Sequence, residues 1–272
     1  MNKTLAVCFF CRIFEFYNSI TMQTIAIITG ATAGIGEAVA HLFADNGIDV
    51  IITGRREERL ETLKTKLEAK KVQVLALKLD VRNEEQVKNT FSNLPEEWKK
   101  IDILVNNAGL AAGLSTLQEG SIEDWNAMID TNIKGLLYVT RYVVPGMIER
   151  KSGHIVNIGS IAGKEVYPFG NVYCATKYAV DALTKGMRID MLPHNIRVTQ
   201  ICPGAVETEF SIVRFHGDKA RANKVYEGFE SLVAADVAEC VWFAVSRPVH
   251  VNISDLVVVP SAQAMVTMIH KS

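Results

Sequence analysis

Residues 24–36 read TIAIITGATAGIG, and this stretch decides the fold. Thr24–Thr29 is a short run rich in β-branched residues, the composition of a buried strand. Ile35–Asn46 is apolar at helical spacing. Between them lies Thr29-Gly30-Ala31-Thr32-Ala33-Gly34-Ile35-Gly36, a T-G-x-x-x-G-x-G pattern. Glycine lets the backbone turn sharply and lets a charged group approach with no Cβ in the way. The helix that follows offers unpaired N–H groups and the positive end of its dipole. A pyrophosphate fits that description, and the placement between a first strand and a helix is what gives the pattern its force. Gly30, Thr32, Gly34, Ile35 and Gly36 are therefore candidate dinucleotide ligands.

Outward from this unit, strands and helices alternate. Strands are expected at Val50–Thr53, Val72–Leu79, Ile101–Val105, His154–Ile158, Ile196–Ile201 and Leu256–Val259. Helices are expected at Glu57–Lys70, Asn83–Asn93, Ile122–Lys151, Val172–Leu192 and Ala234–Ser246. Continuous β-branched strands separated by helices imply a parallel sheet buried on both faces. The fold class is α/β, a single doubly wound parallel sheet of about seven strands with helices on both faces. One domain spans 22–272. The longest irregular stretch, Pro203–Glu230, reads as a functional loop.

Composition narrows the function. The chain has 272 residues, 49% hydrophobic, with 29 Lys plus Arg against 30 Asp plus Glu and a net charge of −1. Such a balance gives no electrostatic case for nucleic acid. No apolar run approaches the ~18 residues of a membrane-spanning helix. Five scattered cysteines suit reduced thiols in the cytoplasm better than a disulfide framework. The histidines form no metal-ligand spacing, and no metal is expected. Residues 1–21 begin like a secretion signal, but Arg12 and Glu15 interrupt the apolar stretch. They read as a disordered extension or the product of an upstream start codon. Cys8-x-x-Cys11 has no second pair to complete a zinc site.

The second expected strand ends in Thr53-Gly54-Arg55-Arg56. A site selecting NAD places a carboxylate near here for the ribose 2′-hydroxyl. Two guanidiniums, Arg55 and Arg56, suit a 2′-phosphate through charge and forked donors, so NADP is the expected cofactor. The plainer reading is a solvated helix start, since Glu57-Glu58-Arg59 follows.

The chain resembles the short-chain dehydrogenase/reductase family from about Thr24 onward. The motifs that carry the likeness are TGATAGIG at 29–36, Asp80-Val81, NNAG at 106–109, Asn132, Ser160, Tyr173-x-x-x-Lys177 and Pro203-Gly204. The resemblance implies a Rossmann fold in which the same domain carries catalysis. It implies Asp80 at the adenine amino group beside Val81, and the turn of Asn106, Asn107, Ala108 and Gly109 beside the adenine ribose. The stretch after Pro203 and Gly204, including Val206 and Thr208, would embrace the nicotinamide amide. Asn132 would hold a water linking Lys177 to solvent.

The residues also support the chemistry directly. Tyr173 and Lys177 are four apart in an expected helix and share one face. A phenol of pKa about 10 is a poor base; lowering it to about 7 needs roughly 4 kcal/mol of differential stabilisation. A nearby ammonium supplies part of that. Tyr173 would take the alcohol proton in oxidation and return it in reduction. Ser160 would orient the substrate oxygen. A lone Y-x-x-x-K is ordinarily an exposed helix pair; here it follows a serine-bearing strand in a dinucleotide-binding chain.

Within the family the chain is most similar to NADP-dependent 3-hydroxy acid dehydrogenases acting on serine, allo-threonine and related small acids. GRREERL at 54–60, NIGSIAGKEVYPFGNVYCATK at 157–177, IRV at 196–198, PGAVETEFSIVRFHGD at 203–218 and KVYEGFESL at 224–232 carry that likeness. A carboxylate substrate needs a cationic partner, and Arg214 in the Pro203–Glu230 loop is the candidate. Two alternatives remain: a reductase of another carbonyl such as a 3-oxoacyl thioester, and a protein that binds NADP as a sensor or scaffold.

A homo-oligomer, most simply a tetramer, is also expected. Leu136, Leu137, Val139, Val143 and Met147 on one long helix, and Ala179, Val180, Leu183, Met187 and Met191 on another, exceed what one sheet-facing stripe requires. Related dehydrogenases pair these helices across a two-fold axis.

Overall fold

The computed structural model describes residues 24–272. The expectations for residues 1–21, including Cys8 and Cys11, lie outside them.

Seven strands form one parallel sheet. They are β1 (Ile25–Ile28), β2 (Asp49–Gly54), β3 (Val74–Lys78), β4 (Ile101–Asn106), β5 (Gly153–Ile158), β6 (Ile196–Pro203) and a last strand at Asp255–Val258. The spatial order is β3-β2-β1-β4-β5-β6, with Asp255–Val258 at the edge. The order reverses between β1 and β4. A doubly wound sheet opens its crevice at that point, outside the carboxyl ends of the strands.

Two apolar layers cover the sheet. One face packs Val39 and Phe43 of α1 (Gly34–Asp45), Leu60 and Leu67 of α2 (Glu57–Glu68), and Val237 and Val241 of the helix Ala234–Val245. The other packs Val87 and Phe91 of α3 (Glu84–Ser92) with Val139, Met147, Val180 and Met187 from the two long helices. Each inner strand therefore needs apolar residues on both faces, which explains the unbroken runs Ala26–Ile28, Val50–Ile52 and Ile103–Val105.

The single helix expected over 122–151 is three pieces. α4 (Ile122–Ile129) passes into a π-helical turn, Asp130–Gly135, and then into α5 (Leu136–Arg150). A wide turn of this kind marks a local demand that an α-helix cannot meet. Here Asn132 bonds both backbone groups of Leu110, donating to its carbonyl and accepting from its N–H, each at 2.8 Å. Pro203–Glu230, read as irregular, carries its own structure. β7 (Val206–Glu207) pairs with β8 (Leu232–Val233), and α7 (Phe210–Arg214) and α8 (Lys219–Lys224) lie between them.

The apolar surplus expected on the long helices needs correction. Leu136, Val139, Val143 and Met147 of α5 are buried in the chain's own core. So are Val180 and Met187 of α6 (Asn171–Met191). The helices run under the sheet with a wider contact than one stripe, so most of these positions are used within the subunit. Of the ten expected positions only Leu137 is exposed, at 39%; Tyr178 and Ile189 on α6, outside that expectation, are 40% and 73% exposed.

Candidate active site

A cleft of about 490 Å³ runs across the carboxyl ends of β1, β2, β4, β5 and β6. Its floor is the glycine loop. Gly30 and Gly34 have φ of +67° and +56°, in the region that favours glycine. Gly36 is constrained by space: a Cβ there would lie 2.4 Å from Asn107 Nδ2 and 2.6 Å from the Gly30 carbonyl. The loop is fastened to the NNAG turn. Thr29 Oγ1 accepts from the N–H groups of Asn107 and Ala108, both at 3.0 Å, and Asn107 Nδ2 donates to Thr29 O and Gly30 O. Gly36→Ala should therefore cost about 1–3 kcal/mol through overpacking. Thermal unfolding checks it; an unchanged melting temperature would contradict the packing described.

The cleft suits a dinucleotide. Ala33, before α1, offers no side-chain cap, so the first N–H groups of the helix lack a side-chain partner. Asp80 and Val81 lie in the wall. Arg82 binds the Asp80 carboxylate at 2.6 Å and holds it below the usual carboxylate range. Asp80 thus stays an acceptor at neutral pH. The two arginines differ. Arg55 is exposed and makes no hydrogen bond or ion pair among the described residues. Arg56 donates to Thr32 Oγ1 and O and pairs with Glu209 at 2.8 Å.

At the inner end the expected catalytic residues converge. Ser160 follows β5; its Oγ accepts from the Ala162 N–H at 3.0 Å. Tyr173 and Lys177 project from α6 into the same cleft, both buried. Lys177 Nζ donates to the Ile158 carbonyl at 2.9 Å and lies 6.0 Å from the Tyr173 ring centroid. Asn132 is close by, but its amide is committed to Leu110 and to Thr176 Oγ1. Below the site a buried ladder fixes these elements. Asn106 Nδ2 donates to Thr140 and Asn157, and Asn157 Nδ2 donates to Thr184.

Burial dominates the electrostatics. Desolvation pushes the Lys177 ammonium down to about 8. It also pushes the Tyr173 phenol up, with Tyr167 adding to the rise and Ser160 and Arg214 pulling it back. In the protein without cofactor Lys177 does not offset that burial, in keeping with an ammonium expected to supply only part of the lowering.

Pro203, Gly204, Val206 and Thr208 border the cleft where the nicotinamide end was expected, and Thr208 sits against Gly34. Arg214 reaches the inner end. Its guanidinium lies 5.6 Å from the Tyr173 ring, and its Nη2 donates to the Tyr167 hydroxyl at 2.6 Å. Its Nε donates to the Gly113 carbonyl at 3.3 Å. Tyr167, Glu209 and Gln263 were not among the sequence candidates. Gln263 Oε1 accepts from the Ala205 N–H at 2.9 Å and brings the C-terminal segment to the cleft.

A family model described as short chain dehydrogenase matches residues 24–218. The chain belongs to the short chain dehydrogenase family. The NADP-dependent 3-hydroxy acid dehydrogenase YdfG of Salmonella typhi is 49% identical over 250 residues, covering 91% of this chain and 100% of that protein. Sulfoacetaldehyde reductase 2 of Chromohalobacter salexigens is 46% identical over 244 residues, covering 89% and 96%. Among solved structures, the closed form of serine dehydrogenase complexed with NADP+ superposes with a TM-score of 0.87 at 47% identity, covering 92% of this chain and 100% of that one. The cleft residues from Gly30 to Arg214 lie within the matched residues 24–218, and Val225, Tyr226, Gln263, Val266 and Ile269 lie beyond them.

Proposed function

We propose that the protein is an NADP-dependent dehydrogenase acting on the 3-hydroxyl of a small 3-hydroxy acid such as serine, allo-threonine or 3-hydroxypropionate. One observation carries the reading: Arg214, a cation held by Tyr167 and Gly113, lies 5.6 Å from the Tyr173 ring centroid in the same cleft. A guanidinium there can grip a substrate carboxylate while the phenol faces the reacting hydroxyl. The Tyr167 hydroxyl accepts from Arg214, so its own proton is left to donate.

Gly30, Thr32, Gly34, Ile35 and Gly36 would hold the pyrophosphate. Arg55, with Arg56 in support, would face the 2′-phosphate. Asp80, Val81, Asn107, Ala108 and Gly109 would line the adenosine half. Pro203, Gly204, Val206 and Thr208 would line the nicotinamide. Bound NADP supplies a hydride acceptor at its nicotinamide C4. Ser160 orients the substrate hydroxyl, and Tyr173 Oη takes its proton. Lys177 lends positive charge near the phenol. With the cofactor bound, the phenol would gain further positive charge against the burial that raises it in the protein alone. Because the Asn132 amide is committed, a water relay from Lys177 would run through the Asn132 backbone carbonyl in the π-helical turn.

The experiment is a rate comparison. Serine and 3-hydroxypropionate oxidation should exceed reduction of a 3-oxoacyl thioester in kcat/KM; the reverse order favours the other carbonyl reading. Sulfoacetaldehyde belongs in the panel because Arg214 would bind a sulfonate as it binds a carboxylate. NADP binding without turnover of any of them would favour a sensor.

Arg55→Asp should weaken NADP binding by about tenfold or more, removing a phosphate ligand and adding a like charge. Wild-type kcat/KM equal or better with NAD would overturn the assignment of Arg55. The enzyme should also assemble as a homotetramer, supported by the exposed Leu137, Tyr178 and Ile189 on the long helices. Light scattering decides: a mass near 30.0 kDa with full activity means no such interface. The proposed setting is the cytoplasm, in keeping with free Cys174, Cys202 and Cys240. No helix among the described residues is long and apolar enough to cross a membrane.

A further inference from the structure

Two neighbouring arginines, Arg56 and Arg59, meet Glu209 from a distant part of the chain at the outer rim of the cleft. Glu209 precedes α7 in the segment that also carries Arg214. Its Oε2 accepts from Arg56 Nη1 at 2.8 Å. Arg59 Nη1 donates to both oxygens, at 2.7 and 2.9 Å. All three side chains are roughly half exposed. The two guanidiniums hold the Glu209 carboxyl below the usual carboxylate range, so it is ionised at neutral pH. Arg56 is anchored at its other edge by Thr32 in the glycine loop. Of three arginines near the ribose end, one carboxylate thus occupies two.

We propose that Glu209 is a positioning residue that latches the segment Glu207–Arg214 onto Arg56 and Arg59. The same contact holds the protein's affinity for the NADP 2′-phosphate below what the arginines alone would give. The inference rests on the NADP reading above. Its two consequences oppose each other. Glu209 repels a phosphate dianion and occupies donors that could serve it. It also ties down the segment from which Arg214 reaches Tyr173, so the substrate end is ordered from the cofactor end. A carboxylate that merely added stability would worsen both ends when removed.

Glu209→Gln keeps the shape and removes the charge. NADPH binding, read by fluorescence titration, should tighten by about threefold, the scale of exposed ion pairs sharing one carboxylate. Amide exchange of residues 207–216 in the cofactor-free protein should accelerate by about threefold to tenfold. KM for the hydroxy acid should rise, with the larger share of any loss in KM and not kcat. Arg59→Gln breaks the latch from its other end. It should accelerate the same amides and raise KM, but leave NADPH binding no tighter. Unchanged exchange in both variants, or NADPH binding that is unchanged or weaker in Glu209→Gln, overturns the proposal. If the wild type fails to bind NADPH, the functional reading fails instead; the exchange measurement still judges the latch because it uses no cofactor.

Discussion

Tyr173→Phe should abolish turnover while leaving NADPH binding intact. The substitution removes one oxygen and keeps the ring, which packs edge-on against Phe210 with centroids 5.7 Å apart. The fold and the glycine loop should therefore be undisturbed. What disappears is the hydroxyl of a ring that Lys177 and Arg214 both approach, at 6.0 and 5.6 Å from its centroid. Positioned proton transfer contributes about 10²–10⁴-fold, and kcat should fall on that scale. Steady-state rates with NADP and the hydroxy acid, set beside NADPH titration, check both halves. Retention of more than a tenth of wild-type kcat would remove Tyr173 from the proton path.

Lys177→Met should be nearly as severe. The wild-type ammonium is buried, bonded to the Ile158 carbonyl, and is the cation proposed to favour the phenolate once NADP is bound. Without it the phenol gives up its proton only at higher pH, so the pH for half-maximal oxidation should move up as kcat falls by about 10²-fold. A second readout needs no cofactor. The folded pKa of Lys177 lies at about 8, below its ordinary value of 10.5. Between those values the unfolded chain binds more protons than the folded one, so this group adds stability as pH rises from about 8. The raised Tyr173 phenol works the other way near and above its ordinary 10.0. Wild-type stability from this pair should thus climb between about pH 8 and 10, and Lys177→Met should lose the climb. A variant with the wild-type slope would show that Lys177 titrates normally.

The sheet was legible because its inner strands are buried on both faces and had to be written in apolar residues. Ile25–Ile28 and Ile101–Asn106 fall within a residue or two of where composition places them. Gly36 was legible because packing leaves no room for a Cβ. The π-helical turn at Asp130–Gly135 was not, since Asn132 meets Leu110 only in three dimensions. Helical periodicity continues through it without a break. Surplus apolar residues on α5 and α6 misled for a related reason: periodicity shows which face is apolar, not how much of the chain's own sheet will cover it. Arg55 and Arg56 read alike in sequence, yet only Arg56 is tied up by Glu209, 153 residues away. Tyr167 has no motif, and its meeting with Arg214 depends on where the loop after β6 comes to rest.

The central claim is that one cleft brings NADP, Tyr173 and a 3-hydroxy acid together. The most direct measurement is the appearance of reduced-nicotinamide absorbance when the purified protein meets NADP and serine, allo-threonine or 3-hydroxypropionate. The account predicts NADPH formation with these acids, much slower formation with NAD, and none with Tyr173→Phe. No NADPH from any of the three acids, with a protein that binds NADP, would contradict it.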